Sequence, residues 1–121
     1  MSKEDPLARL GTIAAIILDG RLSELRRCAA ARDESLAQIA GLQCDPVSTG
    51  DLEGAAAALA ALNYQRWADE RRRALNQILA RQTAEWINAT EAARKAFGRD
   101  EALKTLARRA DLARRAPDQL S

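Results

Sequence analysis

Along the first third of the chain, residues return to one side of a helix at alternating steps of three and four. The row is Ala8, Gly11, Ala15, Leu18, Leu22, Leu25, Ala29, Arg32, Leu36, Ile39 and Gln43. A second row runs through Ala58, Ala61, Gln65, Ala68, Arg72, Leu75, Leu79, Gln82, Trp86, Ala89, Ala93, Ala96, Asp100, Leu103, Ala107 and Ala110. Steps of three and four mark the seam of a coiled coil. Both rows are rich in alanine, which lets helices approach closely but buries little area per residue. In the first segment Leu10, Ile13, Ile16 and Ile17 lie beside the seam rather than in it.

One stretch breaks the pattern: Cys44-Asp45-Pro46-Val47-Ser48-Thr49-Gly50-Asp51. Pro46 cannot sit inside a helix, and it drives Asp45 out of the helical region. Ser48, Thr49 and Asp51 are N-cap types for a new helix. Pro6 suits a first helical turn, with Asp5 as its cap. The expectation is helix one over about 6–43, a loop over 44–50 and helix two over about 51–116, as a single domain spanning 1–121. Gly98 weakens helix two without stopping it, because Ala96, Asp100 and Leu103 keep the seam phase across it.

A short loop makes the helices antiparallel neighbours. The predicted fold is all-α: a long antiparallel two-helix coiled-coil hairpin with an overhanging C-terminal helical segment. The register that joins a short loop to matched seams sets Leu22 against Leu75, Leu18 against Leu79, Ala29 against Ala68 and Gly11 against Trp86. It places Arg32 opposite Gln65. Helix one then runs out opposite about Thr90, and helix two overhangs by roughly 35–40 Å.

Composition narrows the function. The chain has 121 residues, with 19 basic and 17 acidic residues mixed along it and a net charge of +2. Nucleic-acid binding wants a basic stripe or an extreme balance, so the run Glu70-Arg71-Arg72-Arg73 reads as a solvated face. Histidine is absent, and two cysteines, Cys28 and Cys44, form no metal motif. The expectation is no metal, no cofactor, no small-molecule ligand and no catalytic residue, and hence no enzyme. The apolar patch Ile13–Leu18 is too short for a secretory core or a membrane span, which points to the cytoplasm and reduced thiols.

Aromatic residues are 3% of the chain. Both tryptophans and the one tyrosine fall in Asn63–Trp86, a charge-dense stretch. Trp86 is on the seam and reads as core. Tyr64 and Trp67 fall beside it, with Arg71 one turn beyond. They form either an amphipathic flank with Arg71 over Trp67 or a partner surface, since Trp, Tyr and Arg anchor interfaces. Phe97, Leu103 and Leu106 lie on the expected overhang, where apolar residues without an intramolecular partner imply an external one.

Two stretches resemble the small coiled-coil stalk proteins of flagellar and type III secretion export, the FliJ type. They are Tyr64-Gln65-Arg66-Trp67 with the charged run after it, and Ala92-Ala93-Arg94-Lys95-Ala96-Phe97-Gly98-Arg99-Asp100-Glu101-Ala102-Leu103-Lys104-Thr105-Leu106. The second is similar to the family's tail, where a basic pair precedes an acidic residue and two leucines. The resemblance implies a stalk that inserts into a hexameric export ATPase ring, couples it to a membrane export gate and escorts substrate chaperones. Such a protein works in the cytoplasm, at the periphery of the inner-membrane export apparatus. The resemblance carries over to Arg94, Lys95, Glu101 and Leu103. Candidate partner-binding residues are therefore Tyr64, Trp67, Arg71, Arg94, Lys95, Phe97, Glu101, Leu103 and Leu106. A generic coiled-coil scaffold or oligomerisation adaptor is the alternative, and a nucleic-acid-binding helical hairpin ranks behind it.

Overall fold

A computed structural model describes residues 5–43 and 53–115. Two α-helices account for them: α1, Pro6–Gln43, and α2, Gly54–Arg115. They form an antiparallel two-helix hairpin. Residues 44–51, with Pro46 and the expected caps Ser48, Thr49 and Asp51, lie outside the described residues.

Local chemistry sets the helix ends. The Leu7 amide donates to Asp5 Oδ1 at 3.1 Å, and the Arg9 amide donates to the Asp5 carbonyl at 3.1 Å. Asp5 is thus the N-cap and Pro6 the first helical residue, where its missing N–H costs nothing. The helix start at Gly54 has φ of 56°, a left-handed conformation that glycine adopts without a Cβ clash. Arg114 and Arg115 occupy the last turn of α2, where cations favour the helix dipole. α2 runs unbroken through Gly98, as the seam phase predicts.

The chain divides into two compact units. Unit 1 comprises Met1–Arg27 and Ile87–Ser121; unit 2 is Cys28–Trp86. Within each, a piece of α1 packs on a piece of α2. The core of unit 1 is Ala14, Ala89, Ala93 and Ala96, with the buried carboxylate of Asp100. The core of unit 2 is Cys28, Ala68 and Leu75, with the buried hydroxyl of Ser35.

The seam of α1 follows the expected one in most of its layers and departs from it in a few. Gly11, Leu18, Leu25, Arg32 and Ile39 are half-buried as expected. In the other row Leu22 and Ala29 are half-buried as expected, but Ala14 and Ser35 are buried in place of Ala15 and Leu36, which are exposed. Cys28 is more deeply buried than Ala29. The expected seam favoured the bulkier Leu36, but two helices in close contact need small side chains at the interface. In α2 the expected seam holds from Ala68 to Leu103. Earlier, Ala57, Ala60 and Tyr64 turn inward while Ala58, Ala61 and Gln65 are exposed.

The register is also different. In unit 2 the Arg32 guanidinium lies over the Trp86 ring, 5.3 Å from its centroid, and Arg32 Nε donates to Thr83 Oγ1 at 3.1 Å. Ser35 Oγ donates to Gln82 Oε1 at 2.5 Å. Arg32 therefore faces Thr83 and Trp86, not Gln65. Because Trp86 meets Arg32 rather than Gly11, α2 is displaced by about three heptads along α1. A Cβ built on Gly11 meets nothing within 4 Å, so no large ring packs there. Matching leucine with leucine, the basis of the expected register, yields to polar pairs that can meet in one alignment and to alanine layers that fit close backbones.

The displacement shortens the overhang. In unit 1, Leu10, Ile13 and Ile17 share a groove with Ala96, Ala102 and Leu103. Much of the segment expected to extend past helix one is therefore paired with it. Beyond Thr105 the described residues are exposed except for the half-buried Ala110.

Candidate functional site

Two clusters collect the residues that the sequence singles out, one in each unit. In unit 2 the rings of Tyr64 and Trp67 are 5.8 Å apart and tilted by 40°. Tyr64 is half-buried, against the expectation that it lies beside the seam, while Trp67 is 54% exposed. Arg71 is not held over Trp67: its guanidinium donates to Gln38 Oε1 on α1 at 3.2 Å. The hydrogen bond directs the guanidinium towards α1.

Unit 1 holds the remaining candidates. Its open groove, of about 350 Å³, is lined by Leu10, Ile13, Ala14 and Ile17 of α1 and by Ala96, Arg99, Ala102 and Leu103 of α2. A second groove of about 300 Å³ joins Leu18, Leu22 and Leu25 to Thr90, Ala93, Arg94 and Phe97. Leu103 is half-buried at the first; Phe97, 51% exposed, and Arg94 belong to the second. Lys95 and Leu106 are exposed.

Glu101 is half-buried and ion-paired with Lys104 at 3.6 Å. Lys104 Nζ also contacts the buried Asp100 Oδ2 at 3.0 Å. The hydrogen bond and negative charge of Asp100, followed by the charge of Glu101, raise the Lys104 pKa above its ordinary value. Glu101 is thus committed to its own helix, a poorer partner group than its place in the sequence suggests.

The structure brings Phe97 and Arg94 together, and sets Leu103 beside a group the candidate set omits: Leu10, Ile13 and Ile17. These side chains are 52%, 52% and 42% exposed, and Ile16 beside them is 66% exposed. Their position next to the α1 seam was a visible signal. Large apolar side chains left in water as a contiguous stripe mark an interaction surface.

Among the described residues no three His, Cys, Asp or Glu side chains converge as a metal site, and no helix is long and apolar enough to cross a membrane. No protein-family model, curated protein or solved structure matches the chain.

Proposed function

We propose that this chain is a non-enzymatic coiled-coil adaptor that docks proteins on the outside of its helix pairs. In its specific form it is a stalk of the flagellar or type III export kind, coupling a hexameric ATPase to the export gate and escorting chaperones on the cytoplasmic side of the membrane. The observation that carries the docking role is the uncovered stripe Leu10, Ile13, Ile16 and Ile17 in unit 1. Its side chains are large and contiguous, whereas the fully buried apolar positions of the seam beside them are all alanine. Such a distribution is favourable when the stripe meets a partner. The export assignment rests on the resemblance of Tyr64–Trp67 and Arg94–Leu106 to the stalk family. A general scaffold is the second reading, favoured by the exposed Trp67 on unit 2, which offers a further surface of its own.

A photo-cross-linking residue at Ile16, in the native cell, tests both levels. The expected products join the chain to an export ATPase, gate or chaperone subunit, and a control probe at exposed Glu85 gives none of them. Products with unrelated proteins would replace the stalk by the scaffold. An Ile16 probe that joins the chain to nothing would remove the docking role.

A further inference from the structure

We infer that the groove lined by Leu10, Ile13 and Ile17 in unit 1 takes a third helix from another protein: an amphipathic helix with one apolar stripe and an acidic flank. The inference rests on the docking role proposed above and names the chemistry of its partner. Each helix carries a second row of three- and four-residue steps beside the seam. On α1 the row is Leu10, Ile13 and Ile17, continuing through Gly20 to Glu24. On α2 it is Lys95, Arg99, Ala102, Leu106 and Arg109. Both rows border one groove, because Leu10, Ile13 and Ile17 line it together with Arg99 and Ala102. A helix with two such rows is shaped for two neighbours, and among the described residues of this unit it has one.

The two rows differ in chemistry, and the difference describes the missing helix. The α1 side is aliphatic, and the floor between the rows is Ala14 and Ala96, small enough for a third backbone to come close. The α2 row has three cations and no acid, and of the three Arg99 lines the groove. Among the described residues Lys95, Arg99 and Arg109 make no ion pair or hydrogen bond. The neighbouring carboxylates Asp100 and Glu101 already hold Lys104. A third helix that lays leucine-type side chains on α1 therefore brings its flank beside these cations, where carboxylates are attracted and ammonium groups repelled.

Charge also separates this occupant from a second copy of the chain. Neither row has a free carboxylate to offer the three cations. The one acid on the α1 row, Glu24, is paired with Arg27 of its own helix. A copy docked through the same groove would leave Lys95, Arg99 and Arg109 without counter-charges.

The test uses the full chain and two fluorescein-labelled synthetic helices of about three heptads. Both carry leucine at the a and d positions; one has glutamate and the other lysine at the flanking e and g positions. Fluorescence anisotropy should show saturable binding of the glutamate helix, about tenfold tighter than of the lysine helix and weakening as salt is added. Arg99→Glu should reverse or erase the preference. Ile13→Asp should abolish binding while circular dichroism shows the helices intact, since Ile13 is half in water already. Equal binding of the two helices, or a preference unmoved by Arg99→Glu, would overturn the inference. So would sedimentation of the chain alone as a dimer that Ile13→Asp dissociates, which would make the occupant a second copy. If neither helix binds yet the Ile16 cross-links persist, the docking role stands and this occupant alone is wrong.

Discussion

In unit 2 the two helices meet through side chains that fit one alignment. Ser35 donates to Gln82, Arg32 reaches both Thr83 and the Trp86 ring, and Gln38 accepts from Arg71. In unit 1 the buried side chains are Ala14, Ala89, Ala93 and Ala96, with Asp100, while large aliphatic groups lie on the outside. Alanine layers permit close contact but discriminate poorly between registers, since a slip of one heptad can place alanine on alanine again. Polar pairs do discriminate: a slip strands a half-buried guanidinium or a buried hydroxyl. The two units thus divide the labour. Unit 2 specifies how the helices align, and unit 1 presents an apolar surface whose seam contributes little hydrophobic stabilisation of its own. The contrast explains how one chain can hold a defined register and still keep its larger aliphatic side chains for a partner.

The largest effect should come from the one large apolar side chain buried among the described residues of unit 2. Leu75 is 3% exposed, and Leu75→Ala should destabilise the hairpin by about 2–5 kcal/mol. Both tryptophans lie in unit 2, so their fluorescence should follow the loss in thermal unfolding. Ile13→Ala in unit 1, at a half-exposed site, should cost much less. Equal losses at Leu75 and Ile13 would break the contrast between a specified core and an open face.

The polar pair comes next. Gln82→Leu leaves the buried Ser35 hydroxyl without its acceptor, a cost of about 1–3 kcal/mol. Ser35→Ala together with Gln82→Leu removes both partners and should recover most of that loss. A double-mutant cycle by chemical denaturation measures the coupling. Additive effects would mean that the bond does not specify the alignment.

These contacts also mark where the sequence was legible. Helix α1, its Asp5 cap and the unbroken passage through Gly98 follow from local rules: a capping carboxylate, a first-turn proline and an uninterrupted period. The register did not follow. Periodicity identifies which residues can share a seam, but several alignments of Ala-rich seams satisfy it. Bulk matching of Leu18 with Leu79 selected the wrong one. The deciding pairs, Arg32 with Thr83 and Ser35 with Gln82, are polar, and Ser35 was not even on the expected seam. The candidate site was legible in part for the same reason. Phe97 and Leu103 stood out as apolar residues on an expected overhang. Leu10, Ile13 and Ile17 join Leu103 only once the helices are aligned, so their common groove was beyond a reading of either helix alone.

A smaller change, of opposite sign, is expected at Gly98. The helix passes through it with ordinary backbone, and an added Cβ meets nothing within 4 Å. Gly98→Ala should therefore stabilise unit 1 by up to about 1 kcal/mol through helix propensity alone. Hydrogen exchange of the amides flanking residue 98 reads the change locally. Faster exchange, or a lower melting temperature, would mean that the glycine is needed for a conformation other than a continuous helix.

The smallest expected effect tests the electrostatics of unit 1. Asp100 is a buried carboxylate in an alanine seam, and Lys104 Nζ stands 3.0 Å from it at the solvent edge. The lysine is largely in water, so its contribution to stability is slight and screened by salt. Its direction is still fixed. Asp100, and then Glu101, raise the Lys104 pKa in the folded chain above the ordinary value of 10.5. The folded state holds the proton more tightly than the unfolded state, so the contribution is complete below pH 10.5 and fades as the pH rises through the raised folded value. Lys104→Met removes the titrating group. The difference in melting temperature between the native chain and this variant should be constant at neutral and mildly alkaline pH, then shrink above it. Because both chains share every other titrating group, the comparison cancels the common alkaline loss. A difference that stays constant, or widens, at high pH would show that the Lys104 ammonium does not hold the Asp100 carboxylate in the seam. The buried acid of unit 1 would then depend on a different partner from the one its geometry supplies.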